Sequence, residues 1–525
     1  MSRRILRRQN GPTIQTLLRT PYTGASDKNS LVDWLVPSGD ADTEVLPSLP
    51  KMRDRSRDLV RNAPAATGAI GKLVSGAIGS GLVLQSSIDH KYLGLTEEQA
   101  QKWQENTEHE FRIWSESKEC DFNRQLDFIG LQRLAYRSKL INGDTFVLLP
   151  MKPRKMQPYD LRIQLIEAER VVNDKDAADT DIMAGGIKRD KNGIPTGIYV
   201  RTPHPGASLY GASTTVSEWK YIPIYGEKTG RRNVIHLIDI NRIGQVRGEP
   251  ILSCVIDPLR QISKYSEAEL TAAVINALLA VAITRPANDP VTGASLYKEY
   301  DDDGNKIEQP WERDDNMRLG SGTYLDLAPG EDIKTIAANR PSSQYDPFYL
   351  ACMKQIGMGL GIPFEVLINH FSSSYSASRA ALSEFFEIAL INRDDFAKNF
   401  CQEAYVEWLC EAVIKGRIRA PGFLIDPMIK LAYSGAYWVG PGMKSLDELK
   451  EANASKVNMQ IGTTTLQIEC SKRGLYWKDV IRQRAKEKKF YEEQGLFDEY
   501  SLSYINSNPS ASKEPQSWKE EDKNE

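Results

Sequence analysis

One stretch of the chain, residues 345–408, constrains the fold more than any other part of the sequence. Its pattern predicts a helix, a glycine-rich break at 357–363, a polar loop at 369–376, and a long helix from about Ser376 to Lys415. A helix of ~40 residues would be about 60 Å long, whereas helices in globular proteins average about 12 residues. This length indicates an element that spans an assembly. A small polar loop between two helices indicates a moving part rather than a catalytic pocket.

The break and the loop supply the first candidate site residues. Because glycine adopts backbone conformations that other residues avoid, the break is interpreted as a hinge between helix and loop. The hinge candidates are Gly357, Gly359, Gly361 and Pro363. The loop candidates are Asn369, His370, Phe371, Ser372, Ser373, Ser374, Tyr375 and Ser376. An ordinary surface loop, with Ser376 as the cap of the long helix, is the alternative interpretation.

Composition and charge limit the class of protein. The chain has 525 residues, of which 41% are hydrophobic and 26% charged, as is ordinary for a soluble globular protein of several domains. Its net charge is −3. A protein that binds DNA tightly through phosphates is usually basic, so we expect any DNA contact to be weak or local. The six cysteines include no CxxC pair and are typical of buried thiols in a reducing compartment.

Neither a targeting segment nor a membrane span is indicated. The basic N-terminus lacks an apolar core followed by a small-residue cleavage site. The most apolar helical run, residues 272–283, contains Asn276 and is too short to cross a bilayer. We therefore expect a protein that is cytoplasmic at synthesis and not bound to a membrane.

The first half of the chain predicts an extended arm followed by an α+β block. Residues 1–50 are rich in Pro, Gly, Ser and Thr, which predicts the arm. Residues 51–249 mix amphipathic helices with short strands. A helix is predicted over Asp54–Ala69, and Thr96 with Gln99 fits a capping box. The strand candidates are Phe146–Leu149, Leu161–Leu165, Gly197–Val200 and Val234–Leu237.

The second half predicts helices around a small inserted domain. A helix is predicted from Gly248-Glu249-Pro250 to about Ile283. Residues 285–340, rich in Pro, Gly and Asp, predict the inserted domain. Charged helices are predicted over 445–495, followed by a disordered tail. The core candidates of these helices are Leu446, Leu449, Ile461, Leu466, Ile468, Trp477 and Val480.

The sequence lacks the signatures of a catalytic or cofactor site. Gly71-Lys72 lacks the upstream glycine and the following Ser or Thr of a nucleotide-binding P-loop. Asp301-Asp302-Asp303-Gly304 resembles part of a calcium loop, but Pro310 stands where an EF-hand requires a glutamate. A hairpin turn at 301–304 is therefore the favoured interpretation. The histidines form no ligand pair at metal spacing, and no GxSxG motif is present. We therefore expect no enzyme activity, no cofactor and no metal site.

Four segments carry a resemblance to a known family. They are Arg53–Asn62 (RDRSRDLVRN), Arg247–Pro250 (RGEP), Gly357–Ile368 and Tyr375–Ala380 (YSASRA). Together they resemble the portal proteins of the lambda family, the head–tail connectors of tailed bacteriophages. The resemblance runs from about Arg53 to Gly495. It implies a portal-type multidomain fold that assembles into a ring.

The resemblance also implies names for the parts. They are an N-terminal arm (1–50), a wing (51–249), a first stem helix (250–284), a clip (285–340), a second stem helix (341–363), a tunnel-loop region (364–378), a long wing helix with following strands (379–444), crown helices (445–495) and a C-terminal tail (496–525). The tunnel loop would line a DNA channel, because hydroxyls and an imidazole contact phosphates without holding them. The clip would carry a negative surface, repeated in each copy of the ring, that faces either the channel or basic partners. Its residues would be Asp301, Asp302, Asp303, Asp314 and Asp315.

The function that the resemblance implies is structural. A closed ring of about twelve copies would sit at one capsid vertex and pass double-stranded DNA without sequence preference. Its partners would be the terminase large subunit, head–tail adaptors, and the major capsid or scaffold protein. The ring would be found in the virion, and in the host cytoplasm during assembly. The alternatives are a DNA-acting enzyme (a nuclease or ATPase) and a ring-forming capsid or adaptor protein that encloses no DNA.

Overall fold

The computed structural model describes residues 38–210, 216–277, 281–284, 332–335, 345–371, 374–442, 448–475 and 477–494. The helices are α1 (Ala41–Val45), α2 (Leu49–Asn62), α3 (Pro64–Ala77), α4 (Glu97–Ser115), α5 (Phe128–Asn142), α6 (Ile256–Ala277), α7 (Tyr345–Leu360), α8 (Phe364–Ile368), α9 (Tyr375–Phe396), α10 (Glu403–Ile414), α11 (Pro427–Tyr433), α12 (Glu448–Gln460), α13 (Leu466–Lys472) and α14 (Trp477–Glu493). The strands are β1 (Val83–Ser86), β2 (Asp144–Leu148), β3 (Gln164–Ile166), β4 (Met183–Ala184), β5 (Ile187–Arg189), β6 (Pro195–Thr202), β7 (Glu218–Pro223), β8 (Val234–Ile238), β9 (Val281–Thr284), β10 (Asp332–Thr335) and β11 (Ala436–Val439). Helices and small antiparallel sheets are mixed along the chain, which confirms the predicted α+β class. Across these ranges no helix is both long and apolar enough to cross a membrane.

The helix predicted over Asp54–Ala69 is in fact two helices, α2 and α3. Between them Ala63 is extended (φ −107°, ψ 110°), as expected of a residue before proline. Pro64 then takes the first position of α3, where its missing N–H costs nothing. Gly76 lets α3 lie close to α9, because a Cβ there would come within 3.0–3.2 Å of side chains of α9.

The predicted capping box at the start of α4 is confirmed. The N–H of Gln99 donates to Thr96 Oγ1 (3.3 Å), and the N–H of Thr96 donates to Gln99 Oε1 (3.0 Å). Two N–H groups that the helix itself leaves unpaired are thereby satisfied.

Two antiparallel sheets lie beside helices α2–α5 in the part of the chain before residue 250, which is called the sheet-bearing block below. Their strand orders are β3-β2-β8 and β4-β5-β6-β7. In the first sheet, Phe146 of β2 pairs with Ile166 on one side and with His236 on the other. The strand predicted over Leu161–Leu165 is wrong in its limits. β3 begins only at Gln164, because the backbone groups before it hydrogen-bond to loop residues. The other predicted strands coincide with β2, β6 and β8.

The predicted long helix is present as one continuous rod. α9 and α10 are joined by a turn of π-helix at Ala397–Gln402, so the rod runs from Tyr375 to Ile414. A π-helical turn places one extra residue in the helix and often marks a functional position. The sequence did not indicate this turn.

Aromatic side chains join the rod to α4 and α5 in the main hydrophobic core. Phe400 stacks on Phe128 with ring centroids 5.6 Å apart, and Trp408 meets the edge of Phe111 at 5.0 Å. All four are buried. Stacked and edge-to-face pairs contribute about 0.5–1.5 kcal/mol beyond their buried area.

The helix predicted over 250–283 is shorter at both ends. α6 begins at Ile256, because the residues before it form tighter i→i+3 turns while the N–H of Ile251 donates to the carbonyl of Leu140 (2.9 Å). At the other end Val281–Thr284 form β9, which pairs with β10. Three of these four residues are β-branched, which favours a strand.

Helices α12–α14 have almost no core of their own. Among their described side chains the buried ones are Ser455, Glu469 and Cys470. Within a single copy of the chain, four residues that were predicted to lie in the core are exposed, so the prediction is wrong for them: Leu449, Ile461, Leu466 and Ile468. Trp477 and Val480 are half-buried, and Leu446 lies outside the described residues. An amphipathic pattern indicates that a face is covered, but not by which chain.

The six cysteines are free thiols. Cys120, Cys401 and Cys470 are buried as predicted. Cys254 is exposed, contrary to the prediction, because it lies in the turn just before α6.

Candidate functional site

The glycine-rich break is a helix end rather than a hinge of several glycines. α7 continues through Gly357 and Gly359, so the prediction that these two interrupt the helix is wrong. A Cβ at Gly357 would lie 2.7 Å from the carbonyl oxygen of Ile362, and one at Gly359 would lie 2.7 Å from Val255. Both glycines therefore permit close packing. Gly361 has a left-handed backbone (φ +64°), and the N–H of Ile362 donates to the carbonyl of Gly357 (2.9 Å). This is a Schellman helix end.

The loop begins at a second helix end of the same kind. Pro363 directly precedes α8, a helix of five residues. Asn369 follows α8 with a left-handed backbone (φ 56°, ψ 33°), and the N–H of His370 donates to the carbonyl of Glu365 (3.1 Å). Asparagine here takes the place that glycine usually has in a Schellman motif. The backbone of Asn369 therefore sets the direction in which the chain enters the loop.

The loop ends at Ser374, earlier than predicted. Ser374 Oγ accepts a hydrogen bond from the N–H of Ala377 (3.5 Å), so the helix cap is Ser374 and not Ser376. Tyr375 and Ser376 belong to the first turn of α9. The loop proper is therefore 369–374.

The described side chains of the loop are exposed and weakly polar. Asn369, His370, Phe371 and Ser374 are exposed, and Phe371 is 45% exposed. Amide, imidazole, phenyl and hydroxyl groups can touch a phosphate–sugar backbone without forming the ion pairs that hold it. Ser372 and Ser373 lie outside the described residues.

Helix α3 reaches the loop through Lys72, whose contact with the loop the sequence did not indicate. Lys72 Nζ donates a hydrogen bond to Asn369 Oδ1. At the C-terminal end of α3, Arg393 of α9 donates from Nε to the carbonyl of Ala77 (2.8 Å) and from Nη2 to that of Gly76 (3.0 Å). These bonds satisfy carbonyls that the end of a helix leaves unpaired. α3 therefore contacts the loop itself at Asn369 and the helix that follows the loop at Arg393.

Two of the segments that carry the resemblance meet at Asp144, which is fully buried at the start of β2. Arg53 Nη2 donates to Asp144 Oδ1 (2.7 Å), and Arg247 Nε donates to Oδ2 (2.6 Å). His236 Nε2 lies 3.2 Å from Oδ2. Burial alone would raise the pKa of the Asp144 carboxyl, but both arginines and the His236 hydrogen bond outweigh it and hold that pKa well below its ordinary value. Burial and the charge of Arg247 lower the pKa of Arg53 to about 9, so Arg53 stays charged at neutral pH.

Three carboxylates, one helical turn apart, fix α10 to the sheet-bearing block. Glu403 pairs with Arg232 Nη1 (2.8 Å), and Glu407 pairs with Arg231 Nε (3.1 Å). Glu411 accepts two backbone N–H groups from the segment before β3, at 2.5 and 2.9 Å. The end of the rod far from the loop is therefore attached to the sheet-bearing block by three carboxylates.

The predicted acidic clip surface falls on Asp301, Asp302, Asp303, Asp314 and Asp315, which lie outside the described residues. It stays a prediction. In the part of the chain that is described, no group of three or more His, Cys, Asp or Glu side chains could hold a metal ion.

Comparison with known proteins places the sequence in a family. The family model described as phage portal protein, lambda family, matches residues 27–393. The portal protein of Escherichia phage N15 is 25% identical over 497 residues, 91% of this chain and 92% of that protein. Portal protein B of Escherichia phage lambda is 25% identical over 498 residues, 91% of each chain.

Chains in solved structures of gene transfer agent (GTA) particles are also similar. A chain from the neck of an empty GTA particle is similar over 68% of this chain and 82% of its own length, with 13% identity and a TM-score of 0.42. A chain from the virion of a native gene transfer agent particle matches 79% of this chain and 89% of its own, with 10% identity and a TM-score of 0.42. Because the family model covers most of the sequence, this chain belongs to the lambda family of phage portal proteins.

Proposed function

We propose that copies of this chain close into a ring of about twelve that encloses a channel for double-stranded DNA at one capsid vertex. The terminase large subunit docks on the ring and supplies ATP hydrolysis during packaging, and the ring itself catalyses no reaction. Head–tail adaptors later bind the same ring for ejection, and the major capsid or scaffold protein holds it in the shell. The ring assembles in the host cytoplasm and stays in the virion.

The exposed turn at 369–371, held between two well-anchored helices, is the observation that carries this proposal. Its entry is set by the Schellman end at Asn369 and its exit by the Ser374 cap. On the inner side, Val366 and Leu367 of α8 are buried. Each phosphate–cation contact adds strongly salt-dependent affinity. A conduit must touch the duplex and release it, and uncharged side chains suit that task.

The uncovered side chains of α12–α14 support assembly with neighbouring copies. Leu449 is 74% exposed, Ile461 66% and Phe490 58%. Covering a large apolar side chain contributes about 1.5–3 kcal/mol, and large exposed apolar patches usually mark interaction sites. In a ring, the same helices of adjacent copies lie at the same height. We therefore infer that these helices pack against one another as the crown.

A packaging assay with loop variants tests the proposal. Ser372→Trp and Ser373→Trp enlarge the loop and leave the Ser374 cap intact. Both variants should still form rings by negative-stain microscopy but package much less DNA, because a bulky side chain repeated on every copy of a closed ring would obstruct the hole. Lys191→Trp, on an exposed turn of the sheet-bearing block, is the matched control. Normal packaging by both loop variants would contradict the role of the loop.

A further inference from the structure

We infer that Lys72 is a positioning residue for the loop at 369–374. We also infer that α3 supports this loop by fixing the positions of its entry and of the helix at its exit. The assignment of a DNA channel to this loop rests on the proposed function. The contacts that define α3 as a support do not depend on it.

Lys72 is well placed for this role. It is half-buried on α3, and a lysine can bury its aliphatic part while its ammonium group stays accessible to a polar partner. The ammonium group donates to Asn369 Oδ1, 297 residues along the chain. The sequence showed Lys72 only as part of an incomplete phosphate-binding motif. The structure gives it a different partner.

The acceptor is the residue at which the loop's direction is decided. Asn369 holds its left-handed backbone at the end of α8, and the adjacent His370 N–H closes that helix end. An ammonium group only donates hydrogen bonds, so it fixes which side of the Asn369 amide faces α3. Backbone and side chain of the same residue are therefore both constrained.

The exit of the loop is also attached to α3, through α9. α9 begins directly after the loop and packs along α3, where Gly76 permits close approach. Arg393 then joins α9 to the last turn of α3 through two carbonyls. Because one contact secures the loop's entry and the other its exit helix, loss of Lys72 should free the entry and leave the exit in place.

Amide hydrogen exchange in the assembled, full-length protein tests this inference. The reporter is the N–H of His370, which donates to Glu365. Lys72→Met removes the donor and keeps an unbranched side chain of similar length. We expect Lys72→Met to raise exchange at His370 about 5-fold, because a hydrogen bond between exposed groups contributes about 1 kcal/mol and about 1.4 kcal/mol is a factor of ten.

Two conservative variants and a control complete the design. Asn369→Asp keeps an acceptor and a residue that adopts the left-handed conformation, so exchange should stay within about 2-fold of the parent. Lys72→Arg keeps a donor and should recover most of the protection. Lys102→Met changes an exposed lysine on α4 in the same way and should have no effect on the loop.

The outcomes separate this inference from the proposed function. Unchanged exchange at His370 in Lys72→Met would overturn the positioning role, whatever happens to packaging. Raised exchange with normal packaging would leave the positioning role standing and contradict the contact between loop and DNA. Raised exchange together with impaired packaging in Lys72→Met, and neither in Asn369→Asp, supports both.

Discussion

The substitution Asp144→Asn should strongly destabilise the sheet-bearing block, because it removes a charge that two buried arginines share. Asp144 is completely buried and is the common partner of Arg53 and Arg247, at 2.7 and 2.6 Å. Asparagine keeps the shape but leaves two buried guanidinium groups without a counter-charge. Removing one partner of a buried ion pair costs about 3–5 kcal/mol, because the remaining charge is uncompensated.

The assay is hydrogen exchange at the paired amides of β2 and β8, since a chain with several parts does not unfold in one step. A tenfold change in an equilibrium corresponds to about 1.4 kcal/mol. The expected cost therefore lowers protection of these amides at least about 100-fold. Asp160→Asn is the matched control. That carboxylate pairs with Lys415 near the surface (2.9 Å), and its loss should cost at most about 1 kcal/mol.

The sign of the pH dependence follows from the depressed pKa. Because the folded-state pKa of Asp144 lies below its unfolded value, the stabilisation is fully present above about pH 4 and is lost as the pH falls towards the folded pKa. The parent protein should therefore lose protection in β2 as the solution is acidified below about pH 4, and Asp144→Asn should lack this contribution. Similar protection of parent and variant at neutral pH, within about 3-fold, would refute the reasoning.

Three further predictions concern single packing and capping contacts. Gly143→Ala should prevent folding of the sheet-bearing block, because the added Cβ would lie 2.3 Å from the carbonyl oxygen of Gly248; the measurement is loss of soluble protein. The control Gly94→Ala, at φ +67° in open space, should lower the free energy of unfolding by only about 1–2 kcal/mol. Glu411→Gln leaves one of two backbone N–H groups poorly paired, so local exchange there should rise by the equivalent of about 1–3 kcal/mol. Thr96→Ala should lower the free energy of unfolding of α4 by about 1 kcal/mol, seen as faster exchange in its first turn.

Local signals made part of the fold predictable from the sequence. The capping box of α4, three of the four strands and the long rod all follow from short-range patterns of polarity and side-chain shape. The break at Pro64 could also have been predicted, because the residue before a proline disfavours the helical conformation. It was missed because the apolar periodicity continues across it.

The rest depended on contacts between distant residues. Three glycines at 357, 359 and 361 look alike in the sequence, yet only the packing of α7 against its neighbours shows that the first two serve close approach and the third ends the helix. Asp144 gave no signal, because a single carboxylate becomes a hub only when Arg53 and Arg247 converge on it. Apolar residues of α12–α14 show periodicity but not which chain covers them.

The most direct test of the central claim is an electron cryo-microscopy map of the assembled full-length protein. We expect a closed ring in which residues 369–371 of every copy converge on an axial hole wide enough for a DNA duplex, with α12–α14 of adjacent copies in contact. Rings whose 369–371 turns point away from the axis, or copies that fail to close into a circle, would contradict it.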